Sequence, residues 1–238
     1  MESLDVVALG RRPYGEVLAL QRELCRRRVA GEERGDLLLL VEHDPVYTLG
    51  RGTRPTSLPL PPDELERRGA HVFEVERGGD VTFHGPGQLV GYPILDLRRH
   101  RQDLHWYLRE VEGALIDGLA MLGLAAERNP GLTGVWTAGR KIASIGIHVK
   151  QWVTMHGFAL NVTTDLAWFG HIVPCGIDRV RMTSVAAELG AGLPPAELGS
   201  VTRDAVVIAF ASRFRLDPRY VDAGRAADMP AGASVEAT

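Results

Sequence analysis

From 13 to 29 the apolar or half-apolar positions Tyr14, Val17, Leu18, Gln21, Leu24 and Cys25 recur at helical spacing. Arg26, Arg27 and Arg28 follow where a helix C-terminus favours positive charge, so the spacing predicts a first helix there. Residues 36–42 form a short apolar run that predicts a buried strand, and Pro45, Gly50, Gly52, Pro55, Pro59, Pro61 and Pro62 then punctuate a long loop. Loops of that length inside a compact domain are usually functional or mobile. Runs rich in β-branched and aromatic residues predict strands at 71–76, 81–83, 88–97, 141–149 and 153–162. Leu104, Leu108, Val111, Leu115, Leu119 and Leu122 predict a long helix capped by Asp103 and stopped at Gly123. A last helix is predicted from about 201 to 214, with Val207, Phe210, Ala211 and Phe214 on one stripe behind a Ser200 cap. Strands follow one another without a helix between each pair, which points to an α+β fold, a mixed or antiparallel sheet with helices packed on it.

Composition narrows this picture. A chain of 238 residues that is 45% hydrophobic and 24% charged can bury one substantial core without a metal or disulfide staple. Its 27 Lys+Arg against 30 Asp+Glu leave a formal charge of -3, without the basic excess that nucleic-acid binding needs. Fully apolar runs such as 37–41 are too short to span a membrane, and the opening Met1-Glu2-Ser3-Leu4-Asp5 lacks a secretory pattern. The two cysteines, Cys25 and Cys175, are therefore read as thiols in a reducing, cytoplasmic setting. The Ala/Gly/Pro-rich stretch after about 222 has little to bury.

Three segments carry candidate chemistry. In Arg77-Gly78-Gly79-Asp80-Val81-Thr82-Phe83-His84-Gly85-Pro86-Gly87-Gln88, glycines on both sides of a short strand let two turns approach a ligand closely. By itself the segment is equally a glycine-bounded hairpin with a surface histidine, and it matches no nucleotide loop. In the second segment, alternation places Lys141, Ala143, Ile145 and Ile147 on one strand face, and Ile142, Ser144, Gly146 and His148 on the other. A lysine among apolar neighbours is desolvated, which disfavours its charged form and suits it to act as a base; the other reading is a lysine that snorkels to water at a strand end. Gly157-Phe158-Ala159 adds a further strand with a glycine window beside His156. The third segment, Pro174-Cys175-Gly176, reads as a loop that presents its thiol, whereas Cys25 lies on the stripe of the first helix. An inert thiol is the other reading of Cys175, and His171 with Cys175 lacks the partner pair that a zinc site needs. His43, His71, His100 and His105 are read as surface or core residues.

Together these segments resemble the lipoyl(octanoyl) transferases of the biotin/lipoate protein ligase family. Residues 77–88 look like that family's RGG-x-x-T-aromatic-HGPGQ signature, 141–162 like its K-[IV]-A-[AS]-IG and HG-[FL]-A-x-N-V block, and 172–176 like its P-C-G nucleophile loop. Residues 42–50 resemble the segment that precedes them. The likeness covers roughly residues 10 to 215 in one order. It implies a biotin/lipoate ligase-like catalytic domain over 1–215, with a tail over 216–238 that has no counterpart and is expected to be poorly ordered.

What the resemblance implies is octanoyl transfer from octanoyl-acyl carrier protein to a lysine of lipoyl domains, in 2-oxoacid dehydrogenase complexes or the glycine-cleavage H protein. Cys175 would be the nucleophile and Lys141 the base. Arg77, Gly78, Gly79, Asp80, Val81, Thr82, Phe83, His84, Ser144, Ile145, Gly146, Gly157, Phe158 and Ala159 would bind substrate. No cofactor or metal is expected, nor a nucleic-acid or membrane partner. The alternatives are an ATP-dependent lipoate-protein ligase, against which the cysteine of the P-C-G loop argues, and a non-catalytic acyl-carrier-binding module. For an acidic carrier, Arg98-Arg99-His100-Arg101 is the expected docking patch, with a solvated loop face as the other reading.

Overall fold

In the computed structural model, which describes residues 2–32, 35–173, 180–190 and 192–222, the chain opens with β1 (Glu2–Arg12), α1 (Tyr14–Val29), β2 (Asp36–His43) and β3 (Val46–Leu49). There follow α2 (Pro62–Arg67), β4 (His71–Glu74), β5 (Thr82–His84), β6 (Gln88–Ile94) and α3 (Leu104–Met121). The second half is β7 (Glu127–Asn129), β8 (Leu132–Thr137), β9 (Arg140–Lys150), β10 (Val153–Asn161), a 3₁₀ turn (Leu166–His171), α4 (Val185–Leu189), α5 (Pro195–Phe214) and β11 (Leu216–Tyr220).

Eight strands form one mixed sheet in the order β11-β1-β2-β6-β10-β9-β8-β7, and β4-β3-β5 form a small second sheet. β1 runs parallel to both β11 and β2; the other pairs of the large sheet are antiparallel. The apolar run of β2 is continuous because both faces are covered. Leu38 and Leu40 join α3 and α5 residues such as Tyr107, Leu115, Val206 and Phe210 in one core cluster. Leu39 and Val41 join Tyr14, Val17, Leu18 and Cys25 of α1 in another. A third cluster, with Tyr47, Leu65, Phe83 and Phe169, lies under the small sheet.

The capping expectation for α3 is met: the Asp103 carboxylate accepts the Trp106 amide at 3.0 Å, and Gly123 adopts φ +79 just past the end. Elsewhere the elements differ from the pattern. The loop expected from Pro45 onward contains β3 and α2, and four strands of the large sheet, β1, β7, β8 and β11, have no counterpart in the expectation. α5 starts at Pro195, a first-turn proline fitting a helix start, so Ser200 lies inside the helix and is not its cap. The segment expected to begin a tail at 216 instead opens with β11, whose Leu216 pairs with Glu2.

Candidate active site

Where the two sheets meet, a cavity of about 410 Å³ opens, within the range of about 300–1,000 Å³ usual for small-molecule sites. Its walls bring together all the expected substrate-binding residues except one. Arg77, Gly78, Gly79, Asp80, Val81, Thr82 and His84 line it from the small sheet, and Ser144, Ile145, Gly146, Gly157, Phe158 and Ala159 from β9 and β10. Phe83 is the exception. It is fully buried on the other side of β5, stacked on Trp168 at 5.3 Å and packed on Tyr47 and Phe169, so it supports the strand and does not touch the cavity.

Close packing explains Gly146. A Cβ there would stand 2.9 Å from Arg77 Cδ and 2.9 Å from Gly78 O, so only a bare backbone lets the RGG segment cross β9, where the Gly78 amide donates to Ile147 O at 2.8 Å.

Lys141 lines the same cavity and is only 6% exposed. Its Nζ lies 5.6 Å from the centroid of Trp136, and its stem crosses Gly134, where a Cβ would stand 2.7 Å from Lys141 Cε. Strict alternation fails around it. The ladder slips between Val135 and Trp136, which face Ala143 and Lys141, so Lys141 shares the cavity with Ser144 and Gly146 as well as Ile145 and Ile147. Its amide donates to Arg181 O at 2.8 Å and its carbonyl accepts from the Thr183 amide at 2.9 Å.

Pro174, Cys175 and Gly176 lie outside the described residues. Just before them, the Val173 amide donates to the Ser57 carbonyl at 2.9 Å, and the Ser57 hydroxyl donates to Asp80 at 2.8 Å. The proline-rich loop is thereby tied both to the RGG segment and to the chain that leads into Cys175. The other cysteine, Cys25, is buried on α1, and burial raises its thiol pKa.

A buried hydrogen-bond chain links the two walls. Asn161 donates through Nδ2 to Thr183 O (3.0 Å), which leaves its Oδ1 to accept from Gln88 Nε2 (2.9 Å). Gln88 Oε1 must then accept from His84 Nδ1 (2.9 Å), so His84 carries its proton on Nδ1. Its Nε2 faces the Thr48 hydroxyl, 3.4 Å away, whose oxygen accepts from Arg77 Nη2 at 2.9 Å. Arg77 also donates to Thr48 O at 2.6 Å and to Gly78 O at 3.1 Å. A guanidinium so engaged with the backbone holds the glycine turn in shape.

Several cavity residues escaped the sequence reading, among them Tyr14, Tyr92, His156, Leu132 and Met182. Tyr14 stacks on His84 at 5.8 Å, and the Tyr92 hydroxyl donates to His43 Nε2 at 2.8 Å while His43 Nδ1 donates to Arg12 O. Tyr14 reads as one more apolar position of a helix, and Met182 stands outside any pattern; for His156, the neighbouring glycine window was the one signal. Burial lowers the imidazole pKa of His43 and of His156 to about 4, and that of His84 well below its ordinary value. The three rings are neutral at pH 7.

Residues 13–209 match the sequence profile described as the lipoyl protein ligase A/B catalytic domain. The chain is similar to the curated octanoyltransferase of Synechococcus elongatus, at 51% identity over 212 residues, 89% of this chain and 88% of that one. It is also similar to those of Nostoc sp. (49% over 208 residues, 87% and 90%) and Geobacter metallireducens (50% over 211 residues, 89% and 92%). Among solved structures it is similar to a lipoate-protein ligase A bound with ATP, with TM-score 0.73 and 16% identity over 96% of this chain and 94% of that one. A bipartite lipoate protein ligase from Thermoplasma acidophilum gives TM-score 0.73 and 17% identity, over 96% and 92%. At such identities these structures speak for the fold alone.

Proposed function

Since the chain belongs to the octanoyltransferases of the lipoyl protein ligase A/B catalytic-domain family, we propose that it transfers octanoyl from a carrier-protein thioester to the lysine amine of a lipoyl domain through an acyl-enzyme on Cys175. The observation that carries the mechanism is Lys141, buried on the wall of a cavity that the RGG segment shares with β9 and β10. In the first half-reaction the Cys175 thiolate attacks the thioester carbonyl, the carbon–sulfur bond to the carrier breaks, and Lys141 gives a proton to the departing thiol. In the second, the acceptor amine attacks the acyl-cysteine, Lys141 takes the amine's proton, and the Cys175 thiolate leaves. One thioester exchanges for another and an amide then forms downhill, so the sequence of steps needs no ATP.

The alkyl chain lies in the cavity, between the glycine-lined backbone of the RGG segment and β9 and β10. About seven carbons beyond the carbonyl, buried at roughly 0.8 kcal/mol each, supply on the order of 5 kcal/mol. A cytoplasmic site of action fits the thiol chemistry; among the described residues no helix is long and apolar enough to cross a membrane.

The test is intact mass after mixing with octanoyl-carrier protein alone. The expected result is one octanoyl mass on Cys175, lost on adding a lipoyl domain, with ATP making no difference. Cys175→Ser then forms no thioester, while Cys25→Ala transfers at nearly the parent rate. An absolute need for ATP and free octanoate would give the ligase reading instead; no adduct and no transfer would leave a binding module.

A further inference from the structure

Positive charge is spread unevenly over this surface. In the stretch after β6, Arg98 is bridged to Asp96 at 2.8 Å, Arg99 to Glu2 at 2.6 Å and Arg101 to Asp103 at 3.1 Å, while His100 meets Asp36 at 2.6 Å. Each of the three arginines there faces a carboxylate of its own, so the stretch that the sequence favours for docking offers little net charge.

Around the cavity the balance is different. Arg51, Arg54 and Arg181 are exposed, and among the described residues none has a carboxylate oxygen within 4.0 Å. Each is tied through backbone to the cavity wall. The Arg51 amide donates to Arg77 O at 3.0 Å, and the Arg54 amide donates at 3.3 Å to the Ser57 hydroxyl that holds Asp80. Arg181 O accepts from the Lys141 amide. Of the acids near the cavity, Glu76 is paired with Arg22 at 3.0 Å, and Asp80 is held in place by the Ser57 hydroxyl. Arg51 also stands close enough to His148, near the end of β9, to disfavour the charged imidazole after burial has done so. From Lys141 to His148 an extended strand covers roughly 23 Å. That span fits inside one ordinary protein–protein footprint, roughly 800 Å² per partner.

We propose that Arg51, Arg54 and Arg181 form the docking rim for the acidic protein that delivers the octanoyl thioester, a reading that rests on the transferase function above. The donor fits this rim better than the acceptor does. A carrier thioester hangs from a phosphodiester arm, so the donor brings an anion to the mouth as well as an acidic surface, and arginine forks suit phosphate. The acceptor brings an amine.

The experiment compares the parent with the triple variant Arg51→Glu, Arg54→Glu, Arg181→Glu. Two donors are used, octanoyl-carrier protein and a short octanoyl thioester without phosphate, at about 0.05 M and about 0.5 M salt. The expected result is a fall of about tenfold or more in kcat/KM for the carrier, with the short thioester and the acceptor KM unchanged, and a parent advantage that shrinks at high salt. Arg215→Glu, an exposed arginine beside β11 at the far edge of the sheet, leaves both donors unchanged. Equal losses on both donors, an undiminished carrier reaction, or a rise in acceptor KM alone would each overturn the docking assignment. If the parent transfers from neither donor, the transferase reading itself falls, and the docking assignment with it.

Discussion

The Ser57 hydroxyl donates to the Asp80 carboxylate at 2.8 Å, and through the Ser57 carbonyl the same residue holds the Val173 amide, two positions before Cys175. Asp80 belongs to the RGG segment expected to bind substrate, yet both its oxygens serve the protein, Oδ2 through Ser57 and Oδ1 through the Val81 amide at 2.7 Å. Ser57→Ala removes a hydrogen bond to a charged group, a loss of about 1.5–3 kcal/mol. The expected outcome is a slower formation of the acyl-enzyme with the carrier KM unchanged. Rapid-quench mass measurement of the first half-reaction checks this; a variant that acylates at the parent rate would show that the loop does not orient Cys175.

Lys141 packs against Gly134 and Trp136 while lining the cavity, and two substitutions separate its proton chemistry from its charge. Lys141→Arg keeps a cation that cannot lose its proton, and Lys141→Met keeps the length without the charge. Both are expected to lower kcat roughly 10²-fold or more, a loss of the size general acid–base catalysis supplies. Steady-state transfer to a lipoyl domain measures it. Near-parent turnover by either variant would remove Lys141 from the proton transfers.

Three buried neutral histidines make stability depend on acid. In the unfolded chain His43, His84 and His156 take up protons below about pH 6.5, while in the folded chain His43 and His156 resist until about pH 4 and burial holds His84 well below its ordinary value. Between those values the unfolded state binds more protons, so stability drops as pH falls, by up to about 1.4 kcal/mol per pH unit for each ring. Glu76 behaves differently. The Arg22 hydrogen bond holds its pKa down at about 2, so its contribution is lost only as pH falls from about 4.5 toward 2. Urea titrations from pH 7 to pH 4 are expected to show a steep decline, made shallower by His43→Gln. A flat profile over that window would mean that these rings charge freely in the folded protein.

Asn161 links Gln88 to the carbonyl of Thr183, whose amide donates to Lys141 O. Asn161→Leu leaves a buried donor on Gln88 and a buried acceptor on Thr183 without that partner, at about 1–3 kcal/mol for each group. The expected loss is about 2–5 kcal/mol, read from equilibrium unfolding. A loss below about 1 kcal/mol would show that other groups take over both bonds.

Much of the site was legible from residue order alone, because its parts are local. The RGG and HGPGQ turns and the IG and HG windows each need particular residue types within a few positions of one another, and so does the Asp103 cap of α3. Helical spacing likewise marks α1 and α3, since a helix buries a stripe of its own sequence.

What only the tertiary structure decided are the relations between distant residues. β1 and β11 are the two halves of one parallel pairing some 214 positions apart (Glu2 with Leu216), and nothing in either short segment names its partner. Phe83 sits in the middle of a binding motif but turns its ring into the core, because successive strand side chains face opposite sides. Lys141 reaches the cavity face through a slip in the ladder with β8, which no alternation rule foresees. Charge follows the same logic. The arginines at 98, 99 and 101 form a basic run in sequence, but pairing with Asp96, Glu2 and Asp103 cancels their surplus, whereas Arg51, Arg54 and Arg181, scattered along the chain, meet no carboxylate among the described residues beside the cavity. Sequence records which chemistry is available, and folding selects which of it goes uncompensated, because electrostatics and packing depend on distances in space.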